Sequence, residues 1–141
     1  MVHALQRAGR RLRPGGTLVS IRPHRTWRPA IAITAQGRRF LVARLVNPSF
    51  DRNLRYAEAA LDRVVRDGWF RLAGLVPARY RAYLDRPSQI RTYLELINPP
   101  RPRFPPGGRA RLDELWRSAP PDARIEVTES LVVTALRRRS S

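Results

Sequence analysis

Apolar residues recur at helical spacing at Val2, Leu5, Ala8 and Leu12, which predicts an amphipathic helix over residues 2–12 with arginines opposite. Arg13 precedes Pro14 and is pushed out of the helical region, so the helix ends there. Pro14 and Gly15 suit the two central positions of a type II turn, because proline presets the first φ and glycine accepts the positive second one. From Gly16 to Pro23 the helical period is gone. Leu18, Val19 and Ile21 form a largely apolar run, which predicts a strand buried on both faces. Residues 30–46 read as a β-hairpin, with Ile31 and Ile33 alternating on one arm, Phe40 and Val42 on the other, and Gln36-Gly37 as the turn.

Beyond the hairpin, Asp51 is a candidate N-cap for a helix carrying Leu54, Ala57, Leu61, Val64 and Val65 and ending at Gly68. Asp62 and Arg66 lie one turn apart on it and are expected to pair. Val76, Ala78, Tyr80, Ala82 and Leu84 then alternate with Pro77, Arg79, Arg81 and Tyr83. That is a strand, and Pro77 places it at a sheet edge because proline cannot donate to a central ladder. Ser88 suits the cap of a short helix with Ile90, Tyr93, Leu94 and Ile97. Residues 98–108 are rich in proline and glycine and read as a rigid extended connector. A short helix with Leu112, Leu115 and Trp116 follows. The segment from Ala123 to Arg139, with Ile125, Val127, Leu131, Val132 and Val133, reads as a strong terminal strand. Trp69, Phe70 and Trp116 are expected in the core.

Charge changes this picture more than composition does. All 28 basic residues are arginine, against 11 acids, for a formal net charge of +17 in 141 residues. Residues 1–50 hold ten arginines and no acid. Such a field attracts phosphates, nucleic acid or anionic partners. A GC-rich coding bias explains the choice of arginine over lysine, but not the scarcity of acids. Cysteine is absent, which excludes disulfides, thiolate catalysis and cysteine-held metals. His3 and His24 are the only histidines, so no histidine-rich metal site is expected. No apolar run is long enough for a transmembrane helix, no secretory leader is expected, and a cytoplasmic location is the default.

The segment HALQRAGRRLRPGGTLVSIRP near the start resembles the part of class I S-adenosylmethionine-dependent methyltransferases in which a helix ends at Leu-Arg-Pro-Gly-Gly and leads into the fifth strand. YAEAALDRVVRDGWFRL is similar to that family's later helix, which ends at a Gly-Phe where this chain has Gly68-Trp69-Phe70. IEVTESLVVTALRR resembles its terminal seventh strand. The resemblance implies an α/β fold: a partial Rossmann-like methyltransferase sheet with strands equivalent to five, seven and six, strand seven antiparallel between the other two, an inserted β-hairpin and flanking helices. It implies one domain over residues 1–141, the carboxy-terminal portion of such a fold, with the cofactor-binding half missing. The activity implied is methyl transfer from S-adenosylmethionine to an unknown acceptor, inactive in the isolated chain.

The family holds that cofactor on a glycine-rich loop after strand one and an acid ending strand two. The only glycine pairs here are Gly15-Gly16 and Gly107-Gly108, and no acid precedes Asp51. No cofactor-binding or catalytic residue is therefore carried over. The partners implied are a protein or missing segment covering the exposed side of strand five.

Candidate chemistry is sparse. Arg22, His24 and Trp27 follow the strand whose carboxyl end borders the ligand crevice in doubly wound folds. They are the candidate substrate-binding residues, with His24 as an acid or base. Arg79 and Arg81, flanked by Tyr80 and Tyr83, suit either base stacking or the charges that guard an edge strand; the edge role is the expectation. Arg38 and Arg39 are expected in solvent at the hairpin turn, and Arg137 to Arg139 with Ser140 and Ser141 as a frayed, solvated end. Glu126 and Glu129 point to opposite faces of a strand and form no carboxylate pair. The alternative function is a non-enzymatic, arginine-rich nucleic-acid-binding protein.

Overall fold

In the computed structural model, which describes residues 1–46, 50–96 and 102–139, the amino-terminal period produces helix α1 (Val2–Arg11). The elements that follow are β1 (Thr17–Pro23), β2 (Ala30–Ala35), β3 (Arg38–Arg44), α2 (Phe50–Arg66), β4 (Phe70–Leu84), α3 (Gln89–Leu96), α4 (Gly108–Arg117) and β5 (Arg124–Arg138). Among the described residues these make an α/β protein with four helices and a five-stranded antiparallel sheet. They gather into two units. One comprises the described parts of residues 1–25, 51–78 and 131–141, the other those of 26–50 and 79–130. β4 and β5 each contribute a part to both.

In the first unit the turn after α1 is the one the sequence prescribes. Gly15 takes φ 73°, and the Gly16 amide donates to the Arg13 carbonyl at 2.8 Å. A Cβ on Gly16 would lie 2.8 Å from that same oxygen, so the second glycine is required by space where the first is required by φ. β1 then runs antiparallel to the end of β5, with Leu18 opposite Leu136 and Ile21 opposite Val133. Leu18 and Leu136 face the apolar stripes of both helices, joined by Leu5, Leu12, Leu61, Val64 and Phe70. Burial of this shared stripe is the main stabilising term of the unit.

The expectation that β1 is buried on both faces is corrected. Its residues alternate, with Leu18 half-buried while Val19 and Ile21 are 56% and 67% exposed. The helices cover one face, and among the described residues of this unit no element covers the other. Among the described residues β1 also pairs with β5 alone, so its second edge carries no strand.

Helix α2 begins at Phe50, two residues earlier than an Asp51 cap would give, so Asp51 lies in its first turn instead of capping it. There its charge favours the helix dipole and pairs with Arg55 at 3.0 Å and Arg25 at 3.6 Å. The ion pair near the other end joins Arg63 to Asp67, not Asp62 to Arg66. The helix stops before Gly68, as expected. β4 begins at Phe70, ahead of the period-two stretch, and pairs only with β5 among the described strands, so Pro77 does lie in an edge strand. Arg137 and Arg138 are not a frayed end: they belong to β5 and donate to the carbonyls of Gly15 and Leu12, tying the strand to the turn. Ser140 and Ser141 lie outside the described residues.

In the second unit β2 pairs with β3 on one side and with the first part of β5 on the other. The hairpin turn uses Gln36 at φ 51° and Gly37 at φ 71°, the two positive values that match strand twist. Asp122 accepts a hydrogen bond from the Gln36 amide at 2.9 Å and fixes the corner. Ile31, Ile33, Val42, Ile125 and Val127 point to one face, where they pack with Ile90 of α3 and Leu112 of α4; Trp116 closes the edge of this core. Ile97 and residues 98–101 of the expected connector lie outside the described residues; Arg103 forms an antiparallel bridge with Val46.

Candidate functional site

The three candidate substrate residues do not gather at one place. Arg22, the penultimate residue of β1 in the first unit, donates through Nη1 to the Thr134 hydroxyl at 2.8 Å. It lines a hollow of about 630 Å³ whose wall is α2, through Glu58, Asp62 and Arg66, and whose floor is Leu72, Leu75 and Leu136. The lining mixes two arginines with two acids over an apolar base. That composition suits a small polar molecule with an apolar body, but it presents no aligned acid-base pair. His24 is half-buried in the same unit. Trp27 belongs to the second unit, where the Arg79 guanidinium stacks on its ring at 4.3 Å from the centroid.

The denser chemistry lies on the second unit, on the sheet face opposite its core. Strand register sets its membership. Ala32 lies between Leu41 of β3 and Glu126 of β5, Thr34 between Arg39 and Arg124, and Ala30 between Arg44 and Thr128. Small side chains on the central strand let long ones from its neighbours reach across. Glu126 is only 1% exposed. Its Oε1 takes the Arg39 Nε at 2.7 Å and the Thr128 hydroxyl at 3.0 Å, and its Oε2 lies 3.8 Å from the Arg81 Nε. Burial pushes this carboxyl up, but hydrogen bonds from Arg39 and Thr128 and the charges of Arg39 and Arg81 outweigh it and hold the group below the ordinary glutamate value. Arg39 is exposed, as expected, but it belongs to β3 and is the partner of a buried acid.

Sequence reasoning missed this cluster. Its one legible signal was the outward parity of Arg39 on one strand and Glu126 on another, since nothing in the sequence sets those strands two places apart. Arg28, Arg44 and Arg79 join Arg39 and Arg81 in lining a hollow of about 560 Å³.

On the opposite side of the same strand, as expected, Glu129 faces away from Glu126, and the Tyr93 hydroxyl is the polar group that influences it. Its Oε1 is buried without a hydrogen-bond partner among the described residues. Burial raises the Glu129 carboxyl. The Tyr93 hydroxyl is raised by burial first and by the Glu129 charge second, and Tyr80 shifts in the same direction for the same two reasons. A carboxyl raised by folding takes up a proton on folding, so its cost is absent below the unfolded pKa and grows as pH rises through the folded one. Glu129→Gln is expected to raise stability at pH 7 by about 1 kcal/mol, because it removes a poorly solvated charge. In a chain of this size that is a melting-point gain of roughly 4 °C. The gain should vanish by about pH 4, where the native carboxyl is neutral as well. Calorimetry of both proteins at the two pH values checks this, and an equal shift at both would mean that charge is not the cause.

Comparison with protein-family models, with curated proteins and with solved structures returns no match for this chain.

Proposed function

We propose that this chain supplies the carboxy-terminal part of a class I S-adenosylmethionine-dependent methyltransferase fold, and that it takes part in methyl transfer when joined to a segment bearing the cofactor loop. One observation carries the reading. β5 hydrogen-bonds to both β1 and β4 and runs antiparallel to β1, while α1 and α2 pack on one face of that group. This is the arrangement expected of strands five, seven and six, with β1 entered through Leu12-Arg13-Pro14-Gly15-Gly16. The exposed face of β1 at Val19 and Ile21, and its second edge, which carries no strand among the described residues, support the same reading, since both suit a strand and a helical layer contributed from elsewhere.

The residues present do not fit the cofactor. Gly15-Gly16 joins a helix to a strand, the reverse of the strand-to-helix loop that turns backbone amides toward a bound nucleoside. Gly108 opens α4, but a Cβ there would lie 3.1–3.2 Å from Phe104 and Pro105, so that helix start is closed by packing. No catalytic step is therefore assigned to this chain. Within the reading, its own residues shape the acceptor side: Arg22, held by Thr134, and the α2 wall of the adjoining hollow.

The test uses two proteins, this chain alone and whatever product its native locus yields. Calorimetric titration with S-adenosylmethionine is expected to show no binding to the chain alone. The native product, or its complex with a second chain, is expected to bind at micromolar level and to pass a labelled methyl group to a component of cell extract. A native product that neither binds the cofactor nor transfers the label overturns the reading.

A further inference from the structure

We infer that the arginine-lined sheet face of the second unit binds single-stranded nucleic acid. The inference is independent of methyl transfer, because it concerns a different surface and is read without cofactor. The face is built, not merely charged. Arg28, Arg39, Arg44, Arg79 and Arg81 converge on one hollow of about 560 Å³, and Glu126, which pairs with Arg39 and Arg81, is itself buried. Glu126 and Thr128 hold Arg39 from below, and Glu126 draws Arg81 toward the same point. Two arginines are thus positioned in advance, while Arg28, Arg44 and Arg79 make no ion pair among the described residues.

Charge alone would serve any polyanion. Planar groups make the choice. The Arg79 guanidinium carbon sits over the Trp27 ring, 4.3 Å from its centroid, and Tyr83, half exposed, follows Arg79 and Arg81 on the same side of β4. Guanidinium and aromatic planes set beside phosphate-binding arginines on a rigid strand face are what unstacked bases and their backbone require. A duplex hides its base faces, and an anionic membrane or an acidic peptide has no use for them. A coding bias toward arginine accounts for the residue type, but not for the convergence of five arginines on one hollow, two of them held by a buried acid.

The test is fluorescence anisotropy with a labelled 12-nucleotide oligothymidylate, alongside a duplex of equal length and vesicles of phosphatidylserine and phosphatidylcholine. The single strand is expected to bind best. With about four phosphates neutralised, its affinity should fall roughly 50-fold between about 50 and 200 mM salt.

The double variant Arg44→Ala, Arg79→Ala should lose at least tenfold in affinity and lower the salt slope by about 1.4. A control of equal charge change, Arg63→Ala with Arg91→Ala on two helices, should stay within twofold. Arg79→Lys keeps the charge and removes the plane; it should weaken binding several-fold without changing the salt slope. Matching losses in the face variant and the control, tighter binding to duplex or vesicle, or an Arg79→Lys protein that binds like the original would each overturn the inference. Unchanged melting of the face variant confirms that a loss is not unfolding.

Discussion

Phe70→Ala is expected to lower the unfolding free energy by about 3–5 kcal/mol, the range for removing a fully enclosed aromatic ring. Phe70 is 0% exposed and sits among Leu61, Val64 and Leu136, where both helices of the first unit meet the sheet. Its surroundings leave little room to collapse. Gly9 of α1 is buried against the ring, and a Cβ built there would lie 3.1 Å from the ring's Cζ. The helix backbone itself is therefore one wall of the cavity that truncation would open, and no side chain on that wall can move in. The exposed neighbour Leu72 gives the scale, since Leu72→Ala should cost under about 1 kcal/mol. Gly9→Ala extends the argument. In the original protein it presses on the ring and destabilises; in the Phe70→Ala background it fills space and adds helix propensity worth about 1 kcal/mol. Urea melts of the two single variants and the double variant read all three effects. A Phe70→Ala cost below about 1.5 kcal/mol, or no change of sign for Gly9→Ala, would mean that the two elements do not meet as described.

The elements legible in the sequence were those whose burial is set locally. α1 and α2 each bury one stripe, so their period survives in the residue order, and Pro14 and Gly68 mark the stops because φ and the missing amide act within a residue or two. The hairpin was legible despite its weak Gln36-Gly37 turn, because Ile31 and Ile33 alternate against Phe40 and Val42. β1 was misread for a physical reason. An apolar run looks the same in a strand covered on both faces and in one covered on a single face, and the sequence does not record what covers Val19 and Ile21. β4 was started too late because Gly74 breaks the alternation, while the pairing with β5 continues back to Phe70.

The candidate sites were less legible. Arg22, His24 and Trp27 are near neighbours in the chain, yet they divide between two units at the segment joining β1 to β2. Arg39 and Glu126 are 87 positions apart. Their meeting depends on β2 accepting β3 on one side and β5 on the other, a choice made by the whole sheet. Arg79 was recognised as interleaved with aromatics, but its stacking partner is Trp27, which sequence reasoning had placed in another pocket.

Glu126→Gln tests whether the buried carboxylate organises the second unit. Removing one partner of a buried ion pair costs about 3–5 kcal/mol when both charges are enclosed. Here the arginines are not enclosed: Arg39 and Arg81 side chains are 41% and 60% exposed, so water recovers part of their loss. The expected cost at pH 7 is therefore about 1–3 kcal/mol, the penalty for a charged hydrogen bond left unmade. The pH dependence fixes the cause. A carboxyl lowered by folding stabilises fully above its unfolded pKa, near 4.5, and loses that contribution as pH falls through the folded value. The stability gap between the original protein and Glu126→Gln should thus be widest at neutral pH and close progressively below about pH 4.5, as the native acid is itself neutralised. Urea midpoints at about pH 7, 5 and 3 measure it. This is opposite in sign to Glu129→Gln, three residues along the same strand, whose substitution should stabilise at pH 7. One face of β5 gives its acid two guanidinium partners, and the other leaves its acid with a buried oxygen that has no hydrogen-bond partner among the described residues. If both variants shift stability in the same direction at pH 7, the contrast between the two faces is wrong, and with it the assignment of Glu126 as the anchor of the arginine cluster.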